Sequence, residues 1–164
     1  MGKRLTVNDI GYSLIAGHYS PVVMDVNWFQ VTSEGNDYYV YAGRLPEVFM
    51  EKRVPLDYFE YNRNEYLLHV AMDLVNSQMS QVKVFQGGAD DMVTFRVGMD
   101  TSLPEQFLED MSPCLERLEQ AVAEFGHACS VVVKADKDRE SAELMERLSD
   151  PSPDNPWTRG KMTS

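Results

Sequence analysis

Three histidines and two cysteines are the residues best suited to metal or nucleophilic chemistry, and their spacing serves neither. His18, His69 and His127 stand far from one another and form no ligand motif with Cys114 or Cys129. A zinc site needs ligands gathered by short repeats such as CxxC or HExxH, and the sequence has none. It also lacks the GxSxG elbow, the GxxxxGK[ST] phosphate loop and the GxGxxG turn. Two cysteines cannot build a disulfide framework. They fall near one another in a C-terminal region of helical pattern and are read as buried thiols of a reducing compartment. No catalytic residue, cofactor site or metal site is therefore expected. For a hard cation, Asp90, Asp91 and Asp100 would be the first ligands to try.

One stretch, Gly87-Gly88-Ala89-Asp90-Asp91, looks like chemistry. It distantly resembles the glycine-rich hairpin of diguanylate cyclases, where carboxylates at the turn hold metal ions. Here Ala89 displaces the acidic pair, no acidic metal-binding strand lies upstream, and the chain is too short for that domain's other elements. Glycines supply positive φ in a hairpin turn and aspartates bond the local backbone, so the stretch is read as a turn. A second group is aromatic: Tyr38, Tyr39, Tyr41, Tyr58, Phe59, Tyr61 and Tyr66. Rings that stack on nucleic-acid bases come with basic grooves, whereas the flanking charges here are Asp37, Glu47, Asp57, Glu60 and Glu65. Sheet and core packing is the first reading, and a protein-binding face is the other.

The elements that would position these residues belong to one small domain. The 164 residues are 43% apolar, enough for one buried core. Net charge is −11, from 26 acidic and 15 basic residues, which repels phosphate backbones and anionic membranes. Neither a nucleic-acid nor a membrane partner is expected, and a basic or amphipathic protein suits the charge. No run of about 18 apolar residues occurs to span a bilayer. Asn8, Asp9 and His18 interrupt any signal-like stretch after Lys3 and Arg4, so a cytoplasmic setting is expected. The Met1-Gly2…Thr6 start fits a loose myristoylation pattern but is read as an ordinary start.

Thr6 with Asp9 predicts a capping box before a helix carrying Val7, Ile10, Leu14 and Ile15, closed by Gly17 and Pro21. From Val22 the period becomes two, placing Val22, Met24, Val26 and Trp28 on one face of a strand. Glu34-Gly35-Asn36-Asp37 predicts a turn, Tyr38 to Leu45 a second strand, Pro46 a break, and Val48 to Val54 a third. Asn64 caps a helix with Leu67, Leu68, Ala71, Leu74 and Val75 as its stripe. Gln81 to Gln86 and Met92 to Met99 form a hairpin. Ser102, Pro104 and Glu105 open a long helix whose seam is Phe107, Leu108, Met111, Leu115, Leu118, Val122 and Phe125, with Pro113 expected to kink or split it. Ser130 to Lys134 reads as a short strand and Glu140 to Leu148 as a small acidic helix. Residues 1–135 are thus one α+β domain, and 136–164 a short helix with a loose tail.

The expected fold is α+β, an antiparallel β-sheet with helices packed on one face, in the order α-β-β-β-α-β-β-α. That order, with the size and acidity, resembles the type III secretion chaperone-like fold, which includes secretion chaperones and YbjN-like bacterial proteins. The likeness is closest over Glu65 to Phe125, through Leu74-Val75-Asn76, Val82-Lys83-Val84, Val93 to Val97 and the helix from Pro104. It implies a homodimer that presents sheet and helix surfaces to protein segments, with no catalytic residues to carry over. A non-enzymatic protein- or peptide-binding domain, chaperone- or adaptor-like, is therefore expected. The alternative is a regulatory domain of YbjN type that senses a small ligand or a protein. Met24, Trp28, Tyr39, Tyr41, Phe49 and Met92 are the candidate interface, because they give the strands more large apolar side chains than one helix layer covers.

Overall fold

The computed structural model describes residues 6–43, 48–87, 91–99 and 104–149. Among them α1 (Val7–Ala16) precedes four strands: β1 (Val22–Asp25), β2 (Trp28–Ser33), β3 (Asn36–Ala42) and β4 (Val48–Pro55). After a 3-10 turn over Leu56–Tyr58 come α2 (Glu65–Gln78), β5 (Val82–Gln86), β6 (Met92–Gly98) and α3 (Pro104–Ser149). The strands form one antiparallel sheet in the order β1-β2-β3-β4-β6-β5.

Local chemistry accounts for most element ends. The Thr6 hydroxyl accepts from the Asp9 amide at 3.1 Å and the Asp9 carboxylate accepts from the Thr6 amide at 2.9 Å, completing the expected capping box. Asn64 Oδ1 accepts from the amides of Tyr66 and Leu67 and starts α2 as expected. Glu34 and Gly35 both take positive φ (52° and 78°), the type I′ turn that matches the twist of a two-residue hairpin between β2 and β3.

All three helices pack on one face of the sheet. α1 meets Phe29, so that a Cβ at Gly11 would lie 3.4 Å from its ring. The seam of α3 crosses the sheet centre with Phe107, Met111, Leu118 and Phe125 fully buried. Phe125 stands edge-on to Phe59 at 4.7 Å and to Phe95 at 5.7 Å between ring centroids. The expected α+β fold with one helical layer is therefore observed.

Several expectations are corrected. The strand read from Val22 through Trp28 breaks at Val26-Asn27, so β1 and β2 form a hairpin and the sheet gains a strand. Val26 keeps the apolar alternation going through the turn, and its amide is held by the Asp25 carboxylate at 2.6 Å. Ser130 to Lys134 is helical, as is Glu140 to Leu148, and both belong to α3, a single helix of 46 residues. Val132 and Val133 are buried and extend the α3 seam by another turn, so packing overrides the β-propensity of the valine run. Position 135 accordingly marks no element boundary. Pro113 lies on an exposed side of α3 without splitting it. Ile15 and Leu74, expected in apolar stripes, are 61% and 36% exposed, whereas Met72 is buried in α2. The expectations on residues 1–5, Pro46, Gly88 to Asp90, Asp100, Ser102 and the tail from Asp150 lie outside the described residues.

Candidate protein-binding face

The alternation that points Val31, Val40, Met50, Val84 and Phe95 at the helices points a second set of residues at the opposite face, which none of the described helices covers. Trp28 of β2 pairs with Tyr41 of β3, which pairs with Phe49 of β4. Their centroids are 4.9 Å apart (Trp28–Tyr41) and 4.6 Å apart (Tyr41–Phe49), the latter pair stacked. The neighbouring row sets Tyr39 opposite Glu51 and Glu51 opposite Arg96.

Glu51 is the centre of this face. It is only 2% exposed although it points away from the core. Arg53 Nη2 donates to its Oε1 at 3.2 Å and Arg96 Nε donates to its Oε2 at 2.7 Å. Each guanidinium also lies over rings: Arg53 over Tyr39 (4.0 Å) and Trp28 (5.2 Å), Arg96 over Phe49 (4.0 Å) and Phe85 (4.9 Å). One carboxylate, two guanidinium groups and five rings thus hold one another in place, which limits the side-chain entropy lost on binding. Trp, Tyr and Arg are also the residue types that dominate binding energy at protein interfaces.

Four of the six expected interface residues, Trp28, Tyr39, Tyr41 and Phe49, meet on this face. Met24 lies apart on β1, 55% exposed, where the β1–β2 register shifts between Val23 and Asp25. Met92 pairs with Pro55 at the far end of β4 and β6 from Phe49, six residues or about 20 Å along the strand. Sequence reasoning missed Glu51, Arg53 and Arg96. The available signal was Phe49, Glu51 and Arg53 at period two, an aromatic and two opposite charges on one side of a strand. Of the aromatic group, Tyr38 and Phe59 are buried, Tyr61 packs against the core, and Tyr58 and Tyr66 are 73% and 74% exposed.

The two edges of the sheet differ. At β5, Asn76 Nδ2 donates to the Val84 carbonyl at 2.9 Å and the Val84 amide donates to Asn76 Oδ1 at 2.7 Å, so a side-chain amide occupies the place of another strand. At β1, all four residues are exposed, and among the described residues no hydrogen bond reaches the outer side.

Cys114 and Cys129 are buried free thiols on α3, fifteen residues or about 22 Å apart along one helix, not neighbours as their region suggested. Burial pushes the Cys129 thiol up to about 11. Cys114 is raised by burial too, with Arg117 opposing and Asp110 adding. Neither is a thiolate near neutral pH, the form a nucleophile requires. On the helical side the Tyr38 hydroxyl donates to Glu119 at 2.5 Å, and Lys52 pairs with the same carboxylate. Burial, then the bond to Glu119, raises Tyr38 well above the ordinary phenol range. Burial opposes the charged form of Glu119, but the bonds from Lys52 and Tyr38 outweigh it and lower its pKa. His18, His69 and His127 are exposed, and among the described residues no three His, Cys, Asp or Glu side chains gather to hold a metal. No helix of the described residues is long and apolar enough to cross a membrane. An open cleft of about 740 Å³ between α2 and β5 is lined by Arg63, Glu65, His69 and Asp73 among others. Against known proteins, the chain matches no family model, no curated protein and no solved structure.

Proposed function

We propose that this chain is a non-enzymatic protein-binding domain, chaperone- or adaptor-like, that works as a homodimer in the cytoplasm. The observation that supports it is the uncovered sheet face, where Trp28, Tyr39, Tyr41 and Phe49 are fixed by Arg53 and Arg96 around buried Glu51. A rigid aromatic and arginine patch suits a protein surface, because it offers large contact area with little further ordering. The buried, unpaired thiols suit a reducing compartment. The likeness to type III secretion chaperones and YbjN-like proteins stays within this reading on the broad order of helix, strands, helix, two strands and helix, with one strand more than expected before α2.

The test is a Trp28→Ala/Tyr41→Ala variant compared with the parent chain in pull-downs at equal concentration. One protein recovered stoichiometrically by the parent and lost by a variant of unchanged circular dichroism supports the reading. Equal recovery by both refutes the face. The second reading, a ligand-sensing regulatory domain, is favoured by the cleft beside α2, whose Arg63, Glu65, His69 and Asp73 could contact a small polar molecule. A metabolite that raises the melting temperature of the parent, but not of a His69→Ala variant, would favour it.

A further inference from the structure

We infer that β1 is the surface on which two copies of this chain join, each β1 pairing antiparallel with the other about a two-fold axis. The two six-stranded sheets then become one continuous sheet. This rests on the homodimeric reading above and assigns the surface that makes the dimer.

Four observations converge on β1. The first is the difference between the edges: Asn76 saturates Val84 at one end of the sheet, whereas among the described residues none bonds the amides and carbonyls on the outer side of β1. An unprotected edge is a template for a further strand, and natural sheets protect the edges they do not use. The second is that β1 is apolar on both faces. Val22 follows Gln30 toward the open face and Val23 follows Phe29 toward the helices, and they are 56% and 69% exposed. On the helical side α1 lies against Phe29 and leaves Ile15 uncovered.

The third observation is charge, which selects a second copy as the occupant. A quarter of the residues are charged and the net is −11, so two copies repel over most of their surfaces. Between Asp9 and Glu34, however, Asp25 is the one Asp, Glu, Lys or Arg, with His18 the only other titratable side chain apart from tyrosines, and this stretch holds most of α1 and all of β1 and β2. Two such copies can meet there with the least repulsion. A register centred on Val23 sets Val23 opposite its own counterpart, Val22 opposite Met24, and keeps the two Asp25 side chains apart. The fourth is that β1 is weakly held. It has four residues, its register shifts at Met24, and neither residue of the Val26-Asn27 turn takes the positive φ of a primed hairpin. A second neighbour would supply the pairing that β2 alone does not.

Light scattering and directed crosslinking test this on the full chain. The parent is expected at twice 18.7 kDa at micromolar concentration, and a Val23→Lys/Met24→Lys variant at 18.7 kDa with unchanged circular dichroism. In a cysteine series at Val22, Val23 and Met24, at least one position is expected to give an oxidised dimer, because Cys114 and Cys129 are buried and do not compete. Lys83→Cys, on the blocked β5 edge, is expected to give none. A dimer that survives the lysine substitutions, with no crosslink in the β1 series or with one at Lys83→Cys, overturns the β1 assignment and leaves the homodimer standing. A parent that runs as a monomer overturns the assignment and the homodimer together.

Discussion

Replacing Glu51 by alanine is expected to be the most damaging single change on the uncovered sheet face. The carboxylate is 2% exposed and accepts from Arg53 at 3.2 Å and Arg96 at 2.7 Å. Its removal leaves two guanidinium groups over aromatic rings with no counter-charge between them. Removing one member of a fully buried pair costs about 3–5 kcal/mol, mostly through the charge left behind. Here the arginine side chains are 32% and 35% exposed, so water re-solvates part of each cation. The expected loss is therefore about 2–3 kcal/mol. At roughly 2–4 °C per kcal/mol for a domain of this size, that lowers the melting temperature by about 4–12 °C. Arg53→Ala is expected to cost less, about 1–2 kcal/mol, because Glu51 keeps its bonds to Arg96. Urea unfolding followed by circular dichroism, with the Glu51→Ala/Arg53→Ala double variant closing a cycle, measures both costs and their coupling. A Glu51→Ala cost below about 1 kcal/mol, or one smaller than that of Arg53→Ala, would refute the view that Glu51 organises this face.

Glu119 is held below the ordinary carboxylate range, so it contributes stability above its unfolded pKa that is lost as pH falls through the lower folded one. The stability gap between the parent and Glu119→Gln is thus expected at neutral pH and should shrink on acidification below the ordinary glutamate range. A gap independent of pH would count against the Lys52 and Tyr38 bonds as its source. Glu34 sits at φ 52° in the type I′ turn between β2 and β3, where asparagine is better tolerated. Glu34→Asn is expected to stabilise by about 0.5–1 kcal/mol in urea, and a loss of stability would contradict the turn assignment. Beyond Val133 no residue of α3 is buried. Ending the chain after Ala135 is expected to change the melting temperature by less than about 4 °C, and a larger drop would show that the removed part packs on the body.

Elements whose evidence lies within one or two turns of chain were legible without the structure. The Thr6–Asp9 box, the Asn64 cap, the β5–β6 pair and the α3 seam from Phe107 to Phe125 follow from capping chemistry and from periods of 3.6 and 2. The one-sided helical layer followed as well, since each helix carries a single apolar stripe. Trp28, Tyr39, Tyr41 and Phe49 were recognised as surplus apolar surface, but not as one cluster. What remained hidden depended on neighbours distant in sequence. Val26 continues an apolar alternation, so the β1–β2 turn shows only in the pairing of Asp25 with Trp28. The Val131-Val132-Val133 run favours a strand locally and is helical because Val132 and Val133 complete the buried side of α3. The centre of the candidate site is the clearest case. Glu51, Arg53 and Arg96 read as ordinary charges on exposed strand faces. Only the register of β3, β4 and β6 brings Tyr39, Glu51 and Arg96 into one row and puts a carboxylate under two guanidinium groups. Periodicity tells a strand which side faces inward, but strand pairing decides what lies beside each outward residue, and pairing is set by the whole core.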